Sequence, residues 1–210
     1  MINFCNVKVD ELTRNTSILP ITVADVKAYS KQDFLDTSKD AFINEKIMRA
    51  IDGWEAETGF LILDQTFNTS LYNQVEIYSN FKARLTRLNV RSFGNVLYYP
   101  CQWNNIDPKS ILSTDTYYFT VEKGTTPAIF QLKEGVCYLN LYPVYNNLEI
   151  DITAGYEGNN FTNMPQDIKD VLAMQAADLV DGFTGFCGFY EQEIQRIYGK
   201  YTAYTKNITF

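Results

Sequence analysis

Apolar residues in this chain recur every three or four positions near both ends and every second position in between. The first nineteen residues show little periodicity and read as an N-terminal arm. After Pro20, Thr22 is placed to cap a short helix, with Asp25 at the capping-box position and Val23, Val26 and Tyr29 on one face. A longer helix is expected from about Ser38 to Thr58. There Ile43, Ile47, Ala50, Ile51, Trp54 and Thr58 form one stripe, and Gly59 follows as a helix-ending glycine.

From Phe60 to about Thr153 the pattern shortens to strand-like runs rich in Tyr, Phe, Val, Ile and Thr. Gln65–Leu71, Val75–Tyr78, Leu85–Arg91, Asn95–Tyr99, Thr116–Glu122, Ala128–Leu132, Val136–Leu141 and Leu148–Thr153 all read as strands. Turns are expected at Tyr72-Asn73, Phe93-Gly94-Asn95, Lys123-Gly124-Thr125 and Glu134-Gly135, which makes the region an antiparallel meander. Pro100–Ser113 and Tyr142–Asn147 carry no clear pattern.

Beyond Gly155 the helical period returns. Pro165 suits the first position of a helix whose stripe is Ile168, Val171, Leu172, Gln175, Ala176 and Leu179. A Gly/Phe-rich link, Gly182–Phe189, leads to a last helix carrying Ile194, Ile197, Tyr198, Tyr201 and Tyr204. The order helices, strands, helices predicts an α+β fold: a helical bundle from the N- and C-terminal helices with an inserted antiparallel β region. The expected organisation is an arm over 1–19, a helical core over 20–60 and 164–204, the β insertion over 61–155 and a tail over 205–210.

Composition narrows the chemistry. The 210 residues include no histidine, which removes Ser-His-Asp and Cys-His nucleophile systems and imidazole metal sites. Cys5, Cys101, Cys137 and Cys187 are scattered without a CxxC pair, so neither a disulfide framework nor a thiolate zinc site is indicated. No P-loop, dinucleotide fingerprint or calcium loop occurs. The carboxylate pairs Glu55/Glu57 and Glu191/Glu193 lie two apart on helices and point to different faces. Asp178 and Asp181 share a face but lack a neighbouring cation in the sequence. No catalytic residue, cofactor or metal is expected. The start lacks a basic, then apolar, leader, and no apolar run approaches the ~20 residues that span a bilayer, so a protein made inside a cell without a membrane partner is expected.

A net charge of −7 and a pI near 4.7 disfavour tight binding to a nucleic-acid backbone. Lys82, Arg84, Arg87 and Arg91 form the one basic cluster, on or beside a predicted strand. It reads either as a patch for an acidic partner subunit or as an edge strand guarded by charge. Fifteen tyrosines and fourteen phenylalanines exceed what chemistry requires. Core packing absorbs most of them, while Tyr198, Tyr201, Tyr204 and Phe210 suggest a contact surface. An alternative is an aromatic-rich β module that binds carbohydrate or peptide.

One segment points further. The run Asp151-Ile-Thr-Ala-Gly-Tyr156, a short polar loop, and Met164-Pro-Gln-Asp-Ile-Lys169 opening a helix are similar to a signature of bacteriophage head–tail connector (adaptor) proteins. Ile21–Lys27 resembles the family's first helix. Ile43–Gly59, closing on Trp54-Glu-Ala-Glu-Thr-Gly59, resembles its second. The middle strands Leu85–Arg91 and Tyr117–Phe130 correspond to the family's β segments, so the likeness covers roughly residues 20–180. It departs from the family after Gly182, where the Gly/Phe link replaces a proline-containing approach to the last helix. The resemblance implies a structural ring subunit, commonly one of twelve, docked beneath the portal and extending the DNA channel towards a stopper or tail-completion protein. DNA would pass without tight binding. It also implies a place at the portal vertex of the virion after assembly in the host cytoplasm. Arg84, Arg87, Arg91, Tyr198, Tyr201, Tyr204 and Phe210 are the candidate portal or ring contacts.

Overall fold

A computed structural model of the chain describes residues 7–33, 35–71, 82–84, 89–98, 110–111, 113–120, 129–133, 148–182 and 189–206. The chain divides into a β unit, Met1–Arg14 with Asp64–Gly155, and a helical unit, Asn15–Leu63 with Tyr156–Phe210. Both units are therefore built from two separated stretches of chain.

In the helical unit, α1 (Val23–Tyr29) begins at a complete capping box in which Thr22 and Asp25 exchange bonds. The longer α2 (Asp40–Thr58) buries its stripe fully, with Ile43, Ile47, Ala50, Ile51 and Trp54 all at zero exposure. It ends at Gly59, whose φ of 69° lies in the left-handed region that glycine enters without steric cost. The run Phe60–Leu63 that follows is buried and belongs to this unit. The third helix, α3 (Gln166–Val180), is preceded by Pro165, which sits at the N-cap with extended ψ rather than at the expected first helical position. Its stripe packs most extensively on α2, and α4 (Glu191–Lys206) packs against both. The last helix runs through Lys206 and so takes in the first two residues of the expected tail.

The β unit holds two antiparallel sheets. One has the order β1-β2-β8-β4-β5, from Val7–Arg14, Gln65–Leu71, Leu148–Ala154, Val90–Tyr98 and Ser110–Ile111. The other has the order β3-β7-β6, from Lys82–Arg84, Ile129–Leu132 and Tyr117–Thr120. β8 is the central strand: Ile152 lies opposite both Phe67 and Phe93, and Ile150 opposite both Thr69 and Val96. Alternation sends Ile150, Ile152 and Ala154 into the core, with Phe67 and Val96 from the flanking strands. In β6, Tyr117 is buried and Tyr118 faces out, while Phe119 stacks on Phe93 with ring centres 3.7 Å apart.

Three sequence expectations change. Residues 7–14 of the expected arm are a strand, β1, paired with β2 and bulged between Glu11 and Thr13. Its run of charged residues masks the strand pattern, as is common where a strand guards a sheet edge. The expected turn at Phe93-Gly94-Asn95 is instead a bulge inside β4, where the register shifts between Phe93 and Val96. A Cβ at Gly94 would meet the Asp151 Cβ at 3.1 Å, so close backbone approach, not chain reversal, accounts for this glycine. The meander is also replaced, because the final strand of the insertion enters between β2 and β4. The expected strands Val75–Tyr78 and Val136–Leu141, three of the four expected turns and all four cysteines lie outside the described residues.

Candidate functional site

The segments Trp54–Gly59 and Met164–Lys169 lie in the helical unit, and several of their residues have a mechanical task. Trp54 lies between two rings of α4, with centroids 5.0 Å from Tyr198 and 5.1 Å from Tyr201. The neighbouring Glu55 is 7% exposed, and its Oε1 accepts the amides of Ile62 at 2.7 Å and Leu63 at 3.2 Å. Thr58 donates to the Trp54 carbonyl and accepts the Phe60 amide, which closes the turn that Gly59 makes. A carboxylate receiving two buried amides satisfies donors that would otherwise cost ~1–3 kcal/mol each.

The Thr153-Ala-Gly-Tyr156 segment carries the chain from the β unit into the helical unit. Gly155, at φ 84°, donates its amide to the Asn89 carbonyl. The Tyr156 amide is bonded to the Ile62 carbonyl, and its ring meets Phe161 edge-on. Burial pushes the Tyr156 hydroxyl up to about 12, so the phenol stays neutral and acts as a packing group.

Asp167, in the first turn of α3, fixes α4. Its two oxygens take the Lys200 ammonium at 2.5 Å and the Tyr201 hydroxyl at 2.9 Å. Tyr198 donates to Gln175 at 2.8 Å, and the Gln175 amide group occupies the space a Cβ at Gly53 would need. Asp178 and Asp181, which lack a cation nearby in sequence, find backbone donors instead. Asp178 accepts the amides of Phe189 and Tyr190 ahead of α4. Asp181 accepts the Lys31 amide and the Gln32 side chain from the loop after α1.

The predicted contact residues separate. Arg84 lies on β3 and Arg91 on β4, in different sheets, so the basic cluster does not occupy one strand. Arg91 forms an ion pair with Asp64. Tyr198 and Tyr201, expected at a contact surface, are 3% and 4% exposed because the Trp54 ring and the polar tethers of α3 enclose them. Tyr204 is on α4, and Arg87 and Phe210 lie outside the described residues. The sequence reading missed Glu55, Asp167 and Asp178 as structural carboxylates.

Charge is divided unevenly. The helical unit carries fifteen acidic against nine basic residues, a net of −6, while the β unit carries ten against nine, a net of −1. Among the described residues no cluster of acidic or cysteine side chains is suited to hold a metal ion, and no helix is long and apolar enough to cross a membrane.

No protein-family profile matches the sequence, and no curated protein matches it. Solved structures do match. A chain in the virion of a native gene transfer agent particle aligns over 92% of this chain and 94% of its own length, with TM-score 0.64 and 15% identity. A chain in the neck of a native gene transfer agent particle, computed with C12 symmetry, aligns over 90% and 93%, with TM-score 0.62 and 19% identity. One from the neck of an empty particle, computed with C6 symmetry, aligns over 90% and 94%, with TM-score 0.60 and 17% identity. At such identities the shared property is the fold, which is α+β as the sequence predicts.

Proposed function

We propose that this protein is a structural connector of a phage-like particle, an adaptor that forms a ring beneath the portal and joins capsid to tail. The observation that carries this reading is the fold shared, over nine-tenths of both chains, with chains of particle necks reconstructed under C12 and C6 symmetry. The two connector motifs serve packing rather than chemistry, with Glu55 and Asp167 engaged in fixing the helices. A subunit of this kind has no turnover and needs no cofactor.

A ring of twelve would extend the DNA channel from the portal towards a stopper or tail-completion protein. The net charge of −7 suits a wall along which DNA slides without being held, because phosphate affinity comes from clustered cations. Arg84, Arg87, Tyr204 and Phe210 remain the contact residues of this reading, whereas Arg91, Tyr198 and Tyr201 make bonds within their own chain.

Mass photometry and electron microscopy of the purified protein with its portal test the proposal. A closed ring of twelve copies on the portal is expected. A protein that stays monomeric and never associates with portal overturns it.

A further inference from the structure

Two Asp-Gly pairs occur in the chain, Asp52-Gly53 and Asp181-Gly182. In such a pair the backbone nitrogen of the glycine can attack the aspartate side chain, because glycine has no Cβ to obstruct the approach. The fold treats the two pairs differently. Asp52-Gly53 lies in the interior of α2, where the amides belong to the helical ladder, and the Gln175 side chain fills the space beside Gly53. Asp181 is the C-cap of α3, and Gly182 follows it outside the helix, exposed and at φ 90°. No atom stands within 4 Å of the place a Cβ at Gly182 would take.

The Asp181 carboxylate also has a structural task. Its oxygens accept the Lys31 amide at 3.2 Å and the Gln32 side-chain amide at 3.5 Å, which ties the loop after α1 to the end of α3. A carboxylate at a helix C-terminus opposes the helix dipole, so these bonds, and not the helix, account for its place. Both are long for N–H···O bonds, so the carboxylate leaves them readily.

We propose that Asp181-Gly182 is a site of spontaneous backbone isomerisation, and that the change unties this loop from α3. The Gly182 nitrogen bonds to the Asp181 Cγ, and its proton leaves with the carboxyl hydroxyl as water, which closes a five-membered imide. A water molecule then reopens the ring at one of its two carbonyls. Opening at Cγ restores aspartate. Opening at the backbone carbonyl leaves isoaspartate, in which the chain runs through Cγ, is one methylene longer and carries its free carboxylate on Cα. Lys31 and Gln32 then lose their acceptor. The reaction consumes and returns one water and needs no oxidant, metal or enzyme.

Purified native protein, stored at physiological temperature, tests the site. After digestion, isoaspartate is located by peptide mass spectrometry together with labelling by an isoaspartyl methyltransferase. It is expected to accumulate several-fold faster at residue 181 than at residue 52. Asp181→Asn, which closes the same ring by losing ammonia, should convert faster still, with circular dichroism to check its folding. In the aged native protein the Lys31 amide should exchange hydrogen several-fold faster than in fresh protein, with α2 unchanged. No isoaspartate at residue 181 of the native protein, or equal amounts at residues 52 and 181, overturns the site whatever the variant does. Isoaspartate at residue 181 without faster exchange at Lys31 overturns the untying.

Discussion

Asp167 at the start of α3 and Lys200 on α4 are joined at 2.5 Å, across 33 residues of sequence. Burial alone would raise the Asp167 carboxyl, but the hydrogen bonds from Lys200 and Tyr201 outweigh it and hold the group below the usual carboxylate range. A carboxyl lowered by folding contributes stability that is complete above its unfolded value, ~3.9, and fades as pH falls through the folded value. Acidification below ~4 should therefore loosen α4, read as faster hydrogen exchange in Glu191–Lys206 than in α2. Lys200 is largely exposed, so Asp167→Asn should cost only ~1 kcal/mol in denaturant titration.

Trp54 is the larger contribution to the same docking. Its side chain is fully buried between two tyrosine rings. Trp54→Ala should destabilise the protein by ~3–5 kcal/mol, measured by chemical unfolding, with loss of helical signal. Tyr198→Phe keeps the ring and removes one bond to Gln175, so a cost of ~1 kcal/mol is expected.

Glu55 provides a graded pair of substitutions. Glu55→Gln keeps an acceptor for the Ile62 and Leu63 amides and should cost ~1 kcal/mol. Glu55→Ala leaves both buried amides unpaired and should cost ~2–4 kcal/mol in the same unfolding assay. Equal losses from the two variants would show that the bonds are not what Glu55 supplies.

Two glycines should respond with opposite sign. Gly199 lies within α4 with open space where a Cβ would stand, so Gly199→Ala should stabilise the isolated chain by ~0.5–1 kcal/mol. Gly59, at φ 69°, should lose ~1–2 kcal/mol as Gly59→Ala. Paired thermal melts of the two variants give the comparison.

The helices were legible because burial follows a period local to each segment. Ile43 through Trp54 announce one face of α2, and Thr22 with Asp25 announce its neighbour's start. Pairing was not legible in the same way. Nothing near Gly94 reveals that Asp151 lies against it, so a glycine beside an asparagine reads as a turn. Nothing in Val7–Arg14 reveals β2 as its partner, and its charges dilute the alternation. For the candidate site, the runs Trp54–Gly59 and Met164–Lys169 stand out in sequence, but the bonds of Glu55 and Asp167 within them depend on residues 7 to 34 positions away. Tyr198 and Tyr201 read as surplus aromatics because the ring that covers them, Trp54, lies far back in the chain.

The interleaving of the two units has a consequence for how the protein acquires its structure. Asn68 bonds to Asp151, 83 residues later, and Lys31 to Asp181, 150 residues later. Contacts of this span require closure of long loops before they return any energy, which slows folding. The apolar stripe of α2 lacks most of its cover until α3 and α4 have been synthesised, so a growing chain carries Ile43, Ile47, Ile51 and Trp54 without their main partners. The β unit is fully synthesised at Gly155, whereas the helical unit must wait for α3 and α4. The newly made chain should accordingly pass through a sticky, chaperone-dependent stage that ends only near its C-terminus, where α4 closes over Trp54.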